Sequence, residues 1–394
     1  MTTRDLLETL ISFDTVSRNP NRELMDFVRT WLGEYGIESL LVPNEDGSKA
    51  NLYATVPGVA EDGGIMLSGH TDVVPIDGQH WTVPAFTLTE QDGRYYGRGT
   101  ADMKGFVACA MTAMAKASSQ PLQVPLHLAL SYDEEIGCVG VRSLVEHLSN
   151  QTIQPRLCLV GEPTELSVAI RHKGKRGIQA TFTGREGHSA LAPQNLNAIH
   201  LACDFIAHLR SVQEQLAAPY AGHDHSKVPY TTVHAGLING GTALNIVPNR
   251  CTVAFEIRNV AENDPDELLE SIQAHARELV AREQQRIPEA AVSFDLFNEY
   301  PGLATPEDSW AVEFVKSLTG ANGCTEVAFG TEAGMFSSRL DIPSVVCGPG
   351  SMSQGHKPDE FISIDQMQQC ENMLERLLER MCSLDEAWVQ TSKN

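Results

Sequence analysis

Histidine and acidic side chains occur along this chain at places where they can bind metal ions. In chain order they are His70, Asp102, the adjacent pair Glu134 and Glu135, Glu162, and His356. Several directly follow a short apolar run that is typical of a buried strand. Imidazole and carboxylate groups gathered at strand ends suggest a zinc site. These candidates are too many for one ion, and they fit two ions that share a carboxylate, with one glutamate left over as a base.

Most of these residues also have an ordinary structural explanation, and Glu162 and His356 are weak signals when taken alone. His70 and Asp72 lie two residues apart after a strand. Asp72 can therefore accept the N–H of the imidazole nitrogen that does not bind the metal, but the pair also fits a simple turn. Asp102 can cap a helix that begins nearby. Glu134 and Glu135 would repel each other if buried without a cation, or they lie in an exposed loop. Their joint occurrence favours a metal site, because open α/β sheets bind ligands at the carboxyl ends of their strands.

Composition limits the class of protein. The 394 residues exceed one ordinary core, so two domains are expected. The chain has 51 acidic and 29 basic residues and a formal charge of −22, which disfavours nucleic acid and anionic membranes as partners. No signal peptide or membrane-spanning run is recognisable, and the nine scattered cysteines lack a C-x-x-C pair. We therefore expect a cytoplasmic protein with reduced thiols and no membrane partner.

The alternation of apolar strands with helices predicts the fold of the larger domain. Strands are expected at 51–56, 65–68, 126–132, 156–160 and 344–347, and helices at 104–116, 139–148 and 365–381. The helix at 104–116 is apolar nearly all round, so we expect it to be well buried. This pattern predicts an α/β domain with a mostly parallel sheet and helices on both faces.

A different pattern begins near residue 175. The predicted order is strand 177–184, helix 197–216, strand 230–238, strand 251–258, helix 265–285 and strand 291–297. The order β-α-β-β-α-β is that of a ferredoxin-like α+β unit. We therefore predict a domain at 175–298 inserted into a catalytic domain formed by 1–174 and 299–394.

Several motifs resemble those of the M20 metallopeptidase family of di-zinc amidohydrolases. They are Gly69-His70-Thr71-Asp72-Val73-Val74, the stretch 97–105, Asp133-Glu134-Glu135, the stretch 161–164 and the stretch 356–360. The resemblance spans nearly the whole chain. It implies two Zn²⁺ per chain, with Co²⁺ or Mn²⁺ as alternatives, and a cis peptide after Asp102. It also implies that His70 and Glu162 bind one ion, Glu135 and His356 bind the other, Asp102 bridges them, and Glu134 acts as general base and then acid.

The resemblance extends to residues that would contact a substrate. It implies that the inserted domain is a lid and dimerisation domain, and that His188 reaches the active site of the partner subunit and stabilises an oxyanion. Without the family, a surface-loop histidine would be the simpler interpretation. Asn245 and Arg258 resemble the family's substrate-binding segment, although Arg258 also fits a structural salt bridge. Thr331 and Glu332 resemble a pocket loop in which Glu332 pairs with a substrate ammonium or serves only as a loop acid.

These expectations define a reaction. We expect hydrolysis of an N-acyl amino acid, with N2-acetyl-L-ornithine as the substrate of a step in arginine biosynthesis, by a homodimer that pairs through its inserted domain. The alternatives with the same chemistry are removal of succinate from succinyl-diaminopimelate, aminoacylase activity and dipeptidase activity. A non-catalytic metal-binding or peptide-binding protein is the alternative from another class, although such a protein has no need of the additional base Glu134.

Overall fold

The computed structural model describes residues 1–60, 63–151, 154–221 and 228–383. The chain forms two units, one made of Met1–His172 with Leu303–Asn394 and the other of Lys173–Gly302. The inserted unit thus begins and ends slightly outside the predicted 175–298. The physical reason is strand pairing. Lys175 pairs with Tyr300, so both ends of the inserted segment are held in its own sheet.

The first part of the chain supplies most of the larger unit. Its helices are α1 (Thr3–Ser12), α2 (Arg22–Gly33), α3 (Gly105–Ala117) and α4 (Val141–Ser149). Its strands are β1 (Ser39–Pro43), β2 (Ala50–Val56), β3 (Ile65–His70), β4 (Thr89–Gln91), β5 (Arg94–Tyr96), β6 (Leu126–Ser131), β7 (Leu157–Pro163) and β8 (Ala169–His172). A short helical turn, Thr100–Lys104, precedes α3. The prediction of a buried helix is confirmed, since nearly every side chain of α3 is buried.

The inserted unit is an antiparallel sheet with two long helices. It comprises β9 (Lys175–Thr183), β10 (Gly187–His188), α5 (Ala198–Ala217), β11 (Thr232–Gly240), β12 (Ile246–Val247), β13 (Arg250–Arg258), α6 (Pro265–Gln284) and β14 (Ala291–Tyr300). The four long strands lie in the order β11-β13-β9-β14, as in a ferredoxin-like unit, and β10 pairs with β12 separately. Phe182, Phe205 and Phe255 pack together in its own core.

The remaining elements complete the larger unit. They are β15 (Leu303–Ala304), α7 (Trp310–Thr319), β16 (Thr325–Glu326), α8 (Ala333–Leu340), β17 (Ser344–Gly348), β18 (Phe361–Ser363) and α9 (Ile364–Ser383). Helix α9 is amphipathic and packs against α3 and α7. The sequence pattern did not predict α7 or α8, and the latter occupies part of the expected pocket loop.

One nine-stranded sheet holds the larger unit together, in the order β1-β2-β6-β3-β7-β17-β8-β15 with β16 beside β8. Its central strands β6, β3, β7 and β17 are parallel, and the outer pairs are mainly antiparallel. The predicted mainly parallel α/β fold with an inserted α+β unit is confirmed. Within the described residues, every helix is too short or too polar to cross a membrane.

Candidate metal centre

Three neighbouring parallel strands bring the predicted ligands to one edge of the sheet. His70 is the last residue of β3 and is paired with Ser131, the last residue of β6. Glu134 and Glu135 follow Ser131 in the chain and therefore lie beside His70. Glu162 lies near the end of β7, on the other side of β3. Because the carboxyl ends of parallel strands share one edge, four side chains from distant segments meet there.

Two further segments complete the edge. Asp102 lies in the turn before α3, which packs against β3 and β7, and the Asp102–Met103 peptide is cis, as the resemblance implied. His356 lies in the loop after β17, the strand that pairs with β7. The buried Lys104 ammonium donates to the carbonyl oxygens of Leu10 and Phe13, so the turn is fixed to the end of α1.

The ligand atoms form two groups that share one carboxylate. His70, Asp102 and Glu162 form one group, and Asp102, Glu135 and His356 form the other, with the ligand atoms of each group within 4.8 Å of one another. Oδ1 of Asp102 lies 3.0 Å from His70 Nε2, whereas its Oδ2 lies 3.2 Å from His356 Nε2. The two oxygens of Asp102 thus face different groups, which is the arrangement of a bridging ligand.

His70 is oriented by a main-chain oxygen. Its Nδ1 lies 2.9 Å from the carbonyl oxygen of Asp72 but 3.6 Å from the Asp72 carboxylate. The sequence offered the carboxylate as a possible partner, and the structure places the main-chain oxygen of the same residue closer. The carboxylate also accepts the main-chain N–H groups of Glu134 (3.1 Å) and Glu135 (3.3 Å) and the hydroxyl of Ser17 (2.7 Å). Asp72 therefore holds the Glu134–Glu135 segment in place.

The donor set fits cations. A carbonyl oxygen can only accept, so Nδ1 of His70 donates, and a neutral ring then turns the lone pair of Nε2 toward carboxylate oxygens of Asp102 and Glu162, the latter 3.7 Å away. His356 Nε2 similarly faces Asp102 and, at 3.0 Å, Glu135. Lone pairs facing one another at these distances repel unless a proton or a cation lies between them. Each group can therefore hold a divalent ion.

The pKa values reflect the crowding of buried acids. Burial raises the pKa of Glu134 and Glu162 well above the ordinary value, and burial with the nearby Asp102 carboxylate raises that of Glu135 to about 7. Hydrogen bonds to Asp102 and Glu135 raise the pKa of His356 to about 10. Burial opposes ionisation of Asp102 as well, but its two histidine partners hold its pKa below the ordinary value. Cations at this edge would relieve the same repulsion that these shifts record.

Glu134 belongs to neither ligand group. Its carboxyl is buried near His70, and the Sγ of Cys138 donates to its Oε1 at 3.3 Å. The turn that returns Cys138 to Glu134 is closed by main-chain bonds from Gly137 and Cys138 to the Glu134 carbonyl oxygen. Cys138 was not among the predicted site residues, and its spacing of four residues after Glu134 was the available signal.

Two predicted pocket residues are buried within the larger unit. Thr331 Oγ1 lies 3.1 Å from His172 Nε2 and accepts the N–H of Ala333, the first residue of α8. The Glu332 carboxyl accepts hydrogen bonds from Ser68 and Ser131 and is 1% exposed. Burial raises its pKa to about 7. Glu332 is thus part of the floor beneath the sheet edge, and its pairing with a substrate ammonium stays a prediction.

The other three predicted residues lie in the inserted unit. His188 is exposed and pairs with Ile246 across the short sheet of β10 and β12, and the N–H of Ser189 donates to the carbonyl oxygen of Asn245. The segments of His188 and Asn245 therefore meet within this unit. Arg258 lies on β13, where its Nη1 donates to the Tyr300 hydroxyl at 2.6 Å and its Nε pairs with Glu256 at 3.3 Å.

Sequence and structure comparisons give the family. The model of peptidase family M20/M25/M40 matches residues 66–380. Acetylornithine deacetylase of Pasteurella multocida is 35% identical over 376 residues, covering 95% of both chains. An M20 family metallo-carboxypeptidase from Sulfolobus solfataricus has a TM-score of 0.76 at 19% identity, covering 97% of this chain and 99% of its own. A dinuclear metal-binding M20 peptidase from Bacillus subtilis has a TM-score of 0.67 at 15% identity, covering 97% of both. The chain therefore belongs to peptidase family M20/M25/M40 and is a hydrolase of that family.

Proposed function

We propose that this protein is a zinc-dependent hydrolase that cleaves the amide bond of N2-acetyl-L-ornithine, giving acetate and L-ornithine. The observation that carries the proposal is the pair of ligand groups that share Asp102, with the carboxyl of Glu134 nearby and outside both. The relative named acetylornithine deacetylase supports the choice of substrate.

Zinc is the metal that this donor set favours. Each group offers three nitrogen or oxygen ligands, the number that catalytic zinc sites take from the protein while one position stays open. The same donors accept Co²⁺ or Mn²⁺. The dinuclear metal-binding relative from Bacillus subtilis supports two ions. When bound, such ions lower the pKa of water and polarise a carbonyl oxygen.

The residues of this chain divide the proton transfers between them. Glu134 accepts a proton from the water that attacks the acyl carbonyl carbon. It then returns that proton to the amine nitrogen as the carbon–nitrogen bond breaks. The second proton of the water leaves the new carboxylic acid for the amine, so the products are the carboxylate and the ammonium form of the amine. Asp72 keeps Glu134 in place through its main-chain N–H, and Cys138 keeps the carboxyl in place through Oε1.

His188 is proposed to donate a hydrogen bond to the oxyanion of the tetrahedral intermediate, from the second subunit of a dimer. The N–H of Ala190 donates to its Nδ1 at 3.1 Å, so Nδ1 is an acceptor and a neutral ring carries its proton on Nε2. The exposed Nε2–H is then available as a donor. Replacing His188 by Ala is expected to lower kcat while leaving metal content unchanged.

A homodimer through the inserted unit is the assembly that this role requires. Strand β11 is an edge of the four-stranded sheet, and its Leu237 (66% exposed) and Ile238 (47% exposed) leave apolar surface open to solvent. Exposed apolar groups on a sheet edge are typical of a protein interface. Sedimentation tests this directly, and a fully active monomer would contradict both the dimer and the role of His188.

The test of the proposed reaction compares three substrates. Metal-depleted and Zn²⁺-restored protein are assayed with N2-acetyl-L-ornithine, succinyl-diaminopimelate and acetyl-methionine. Zinc-dependent preference for acetylornithine is the expected result. Preference for another substrate would keep the chemistry and overturn the assigned substrate. Protein that binds two ions and hydrolyses none of these would support the non-catalytic alternative.

A further inference from the structure

A buried carboxylate outside both ligand groups connects two of the metal-binding segments. Glu360 is 1% exposed, and its Oε1 accepts the main-chain N–H groups of Gly99 (3.1 Å), Ala101 (3.0 Å) and Asp102 (3.1 Å). Its Oε2 accepts Nη1 of the fully buried Arg98 at 2.6 Å. A single carboxylate thus binds the turn that carries Asp102, although Glu360 itself lies four residues after His356.

The Arg98 guanidinium extends this connection to the loop of His356. Its Nη1 also lies 3.3 Å from the carbonyl oxygen of Lys357, and its Nη2 donates to Gln79 Oε1 at 2.6 Å. The amide of Gln79 in turn donates to the carbonyl oxygen of His356 at 2.9 Å. The Trp81 ring lies against the guanidinium at 5.0 Å. Glu360, Arg98 and Gln79 form a chain of contacts from Asp102 to His356, which we name the 98–360 bridge.

We propose that the 98–360 bridge positions Asp102 and His356 for metal binding, and that Glu360 is its central residue. The inference rests on the proposed metal centre. Asp102 faces both ligand groups, so a displaced Asp102 would weaken both ions, whereas a displaced His356 would weaken one. Neighbours that orient metal ligands in this way contribute about 10–100-fold to metal affinity.

The charge of Glu360 explains why an isosteric change should disturb the bridge. In Glu360→Gln, the amide NH₂ must face either the three main-chain N–H groups or the Arg98 guanidinium, and all of these are donors. A buried donor without an acceptor, or a buried guanidinium without its counter-charge, is costly. We therefore expect the turn of Asp102 to shift. The peripheral change Gln79→Ala removes the contact with the His356 carbonyl, the contact with Arg98 and the hydrogen bond from Trp81 Nε1, and leaves Glu360 in place.

The experiment measures metal affinity without turnover. Wild-type protein is depleted of metal and titrated with Zn²⁺ in competition with a chromogenic chelator, and Co²⁺ absorption reports ligand geometry. Glu360→Gln is expected to weaken both sites about 10–100-fold and to change the Co²⁺ spectrum. Gln79→Ala is expected to weaken only the site served by His356. Leu318→Ala, a cavity in the buried face of α7, is the control for a general loss of stability.

The possible results separate this inference from the function it rests on. Wild-type protein that binds no Zn²⁺ would overturn the metal centre itself. A second result would overturn the bridge and leave the proposed function intact. In it, wild-type protein binds two ions, and Glu360→Gln binds Zn²⁺ as tightly as Leu318→Ala when both variants have lost the same amount of Tm. If Glu360→Gln does not fold, Gln79→Ala decides. Equal Zn²⁺ affinity of Gln79→Ala and wild type at both sites would overturn the bridge as well.

Discussion

Glu134 is the residue whose replacement tests the proposed chemistry most directly. Glu134→Gln keeps the shape of the side chain and removes its capacity to accept a proton. The bond from its main-chain N–H to Asp72 is unaffected, so Glu135 should remain in its ligand group. Because Glu134 belongs to neither group, we expect metal content to stay at the wild-type level.

The size of the effect follows from the number of proton transfers. A positioned acid or base contributes about 10²–10⁴-fold to rate, and that range corresponds to about 3–5 kcal/mol of activation free energy. Glu134 serves both the attacking water and the leaving amine, so we expect the upper part of the range. Burial and nearby acids raise its pKa, and a neutral amide removes that repulsion, so Tm should not fall.

The assay combines kcat for ornithine release, metal content and Tm on the same preparations. The matched control is Asp133→Asn, the same change of charge at the neighbouring residue, whose carboxylate pairs with Lys49 at 2.6 Å. That variant should retain turnover within about tenfold of wild type. Turnover of Glu134→Gln within tenfold of wild type would refute its role as base, and loss of metal in this variant would mean that it is a ligand.

Three further predictions concern a buried histidine away from the site, the contact of Cys138 and the metal ions. Burial lowers the pKa of His127 to about 4, so the free energy of unfolding of the wild type should fall by up to about 3 kcal/mol as pH drops from 6.5 toward 4. Urea unfolding of His127→Gln should show a smaller fall over the same pH range, because this histidine no longer contributes. Equal declines would contradict the burial argument. Cys138→Ala should lower kcat about fivefold by removing the bond to Glu134, and Cys138→Ser should restore it; equal kcat values would exclude this contact from catalysis. Chelation should lower Tm and Zn²⁺ should restore it, because ligands of the native state add about 4 kcal/mol each at 1,000 times Kd; an unchanged Tm would argue against a resident metal.

The sequence was sufficient to predict why the acids meet. His70, Glu134 and Glu162 each follow an apolar run, and parallel strands β3, β6 and β7 are neighbours in the sheet. Residue type and position along a strand carry that information. The grouping of Asp102 with His356 was implied only by the family resemblance, since it depends on contacts between loops that are far apart in the chain.

The contacts made by main-chain groups could not be predicted from the sequence. The carboxylates of Asp72 and Glu360 bind N–H groups, which every residue except proline carries, so no residue pattern marks the partner. The start of α8 was missed for a similar reason. Its first N–H, that of Ala333, is bound by the Thr331 hydroxyl, within a stretch expected to be a loop.

The balance of buried charge argues for two ions rather than one. Asp102, Glu135 and Glu162 are ligand carboxylates, and Glu134 adds a fourth buried acid. Of the other buried acids, Glu360 pairs with Arg98, whereas Asp72 and Glu332 are stabilised by hydrogen bonds from N–H and O–H groups. With neutral histidines, the four carboxylates carry four negative charges and two divalent cations carry four positive ones. One ion would leave two buried negative charges uncompensated, a state that proteins avoid by taking up protons. The second ion is therefore expected to bind more weakly as pH falls, because protons then compete for the same carboxylates.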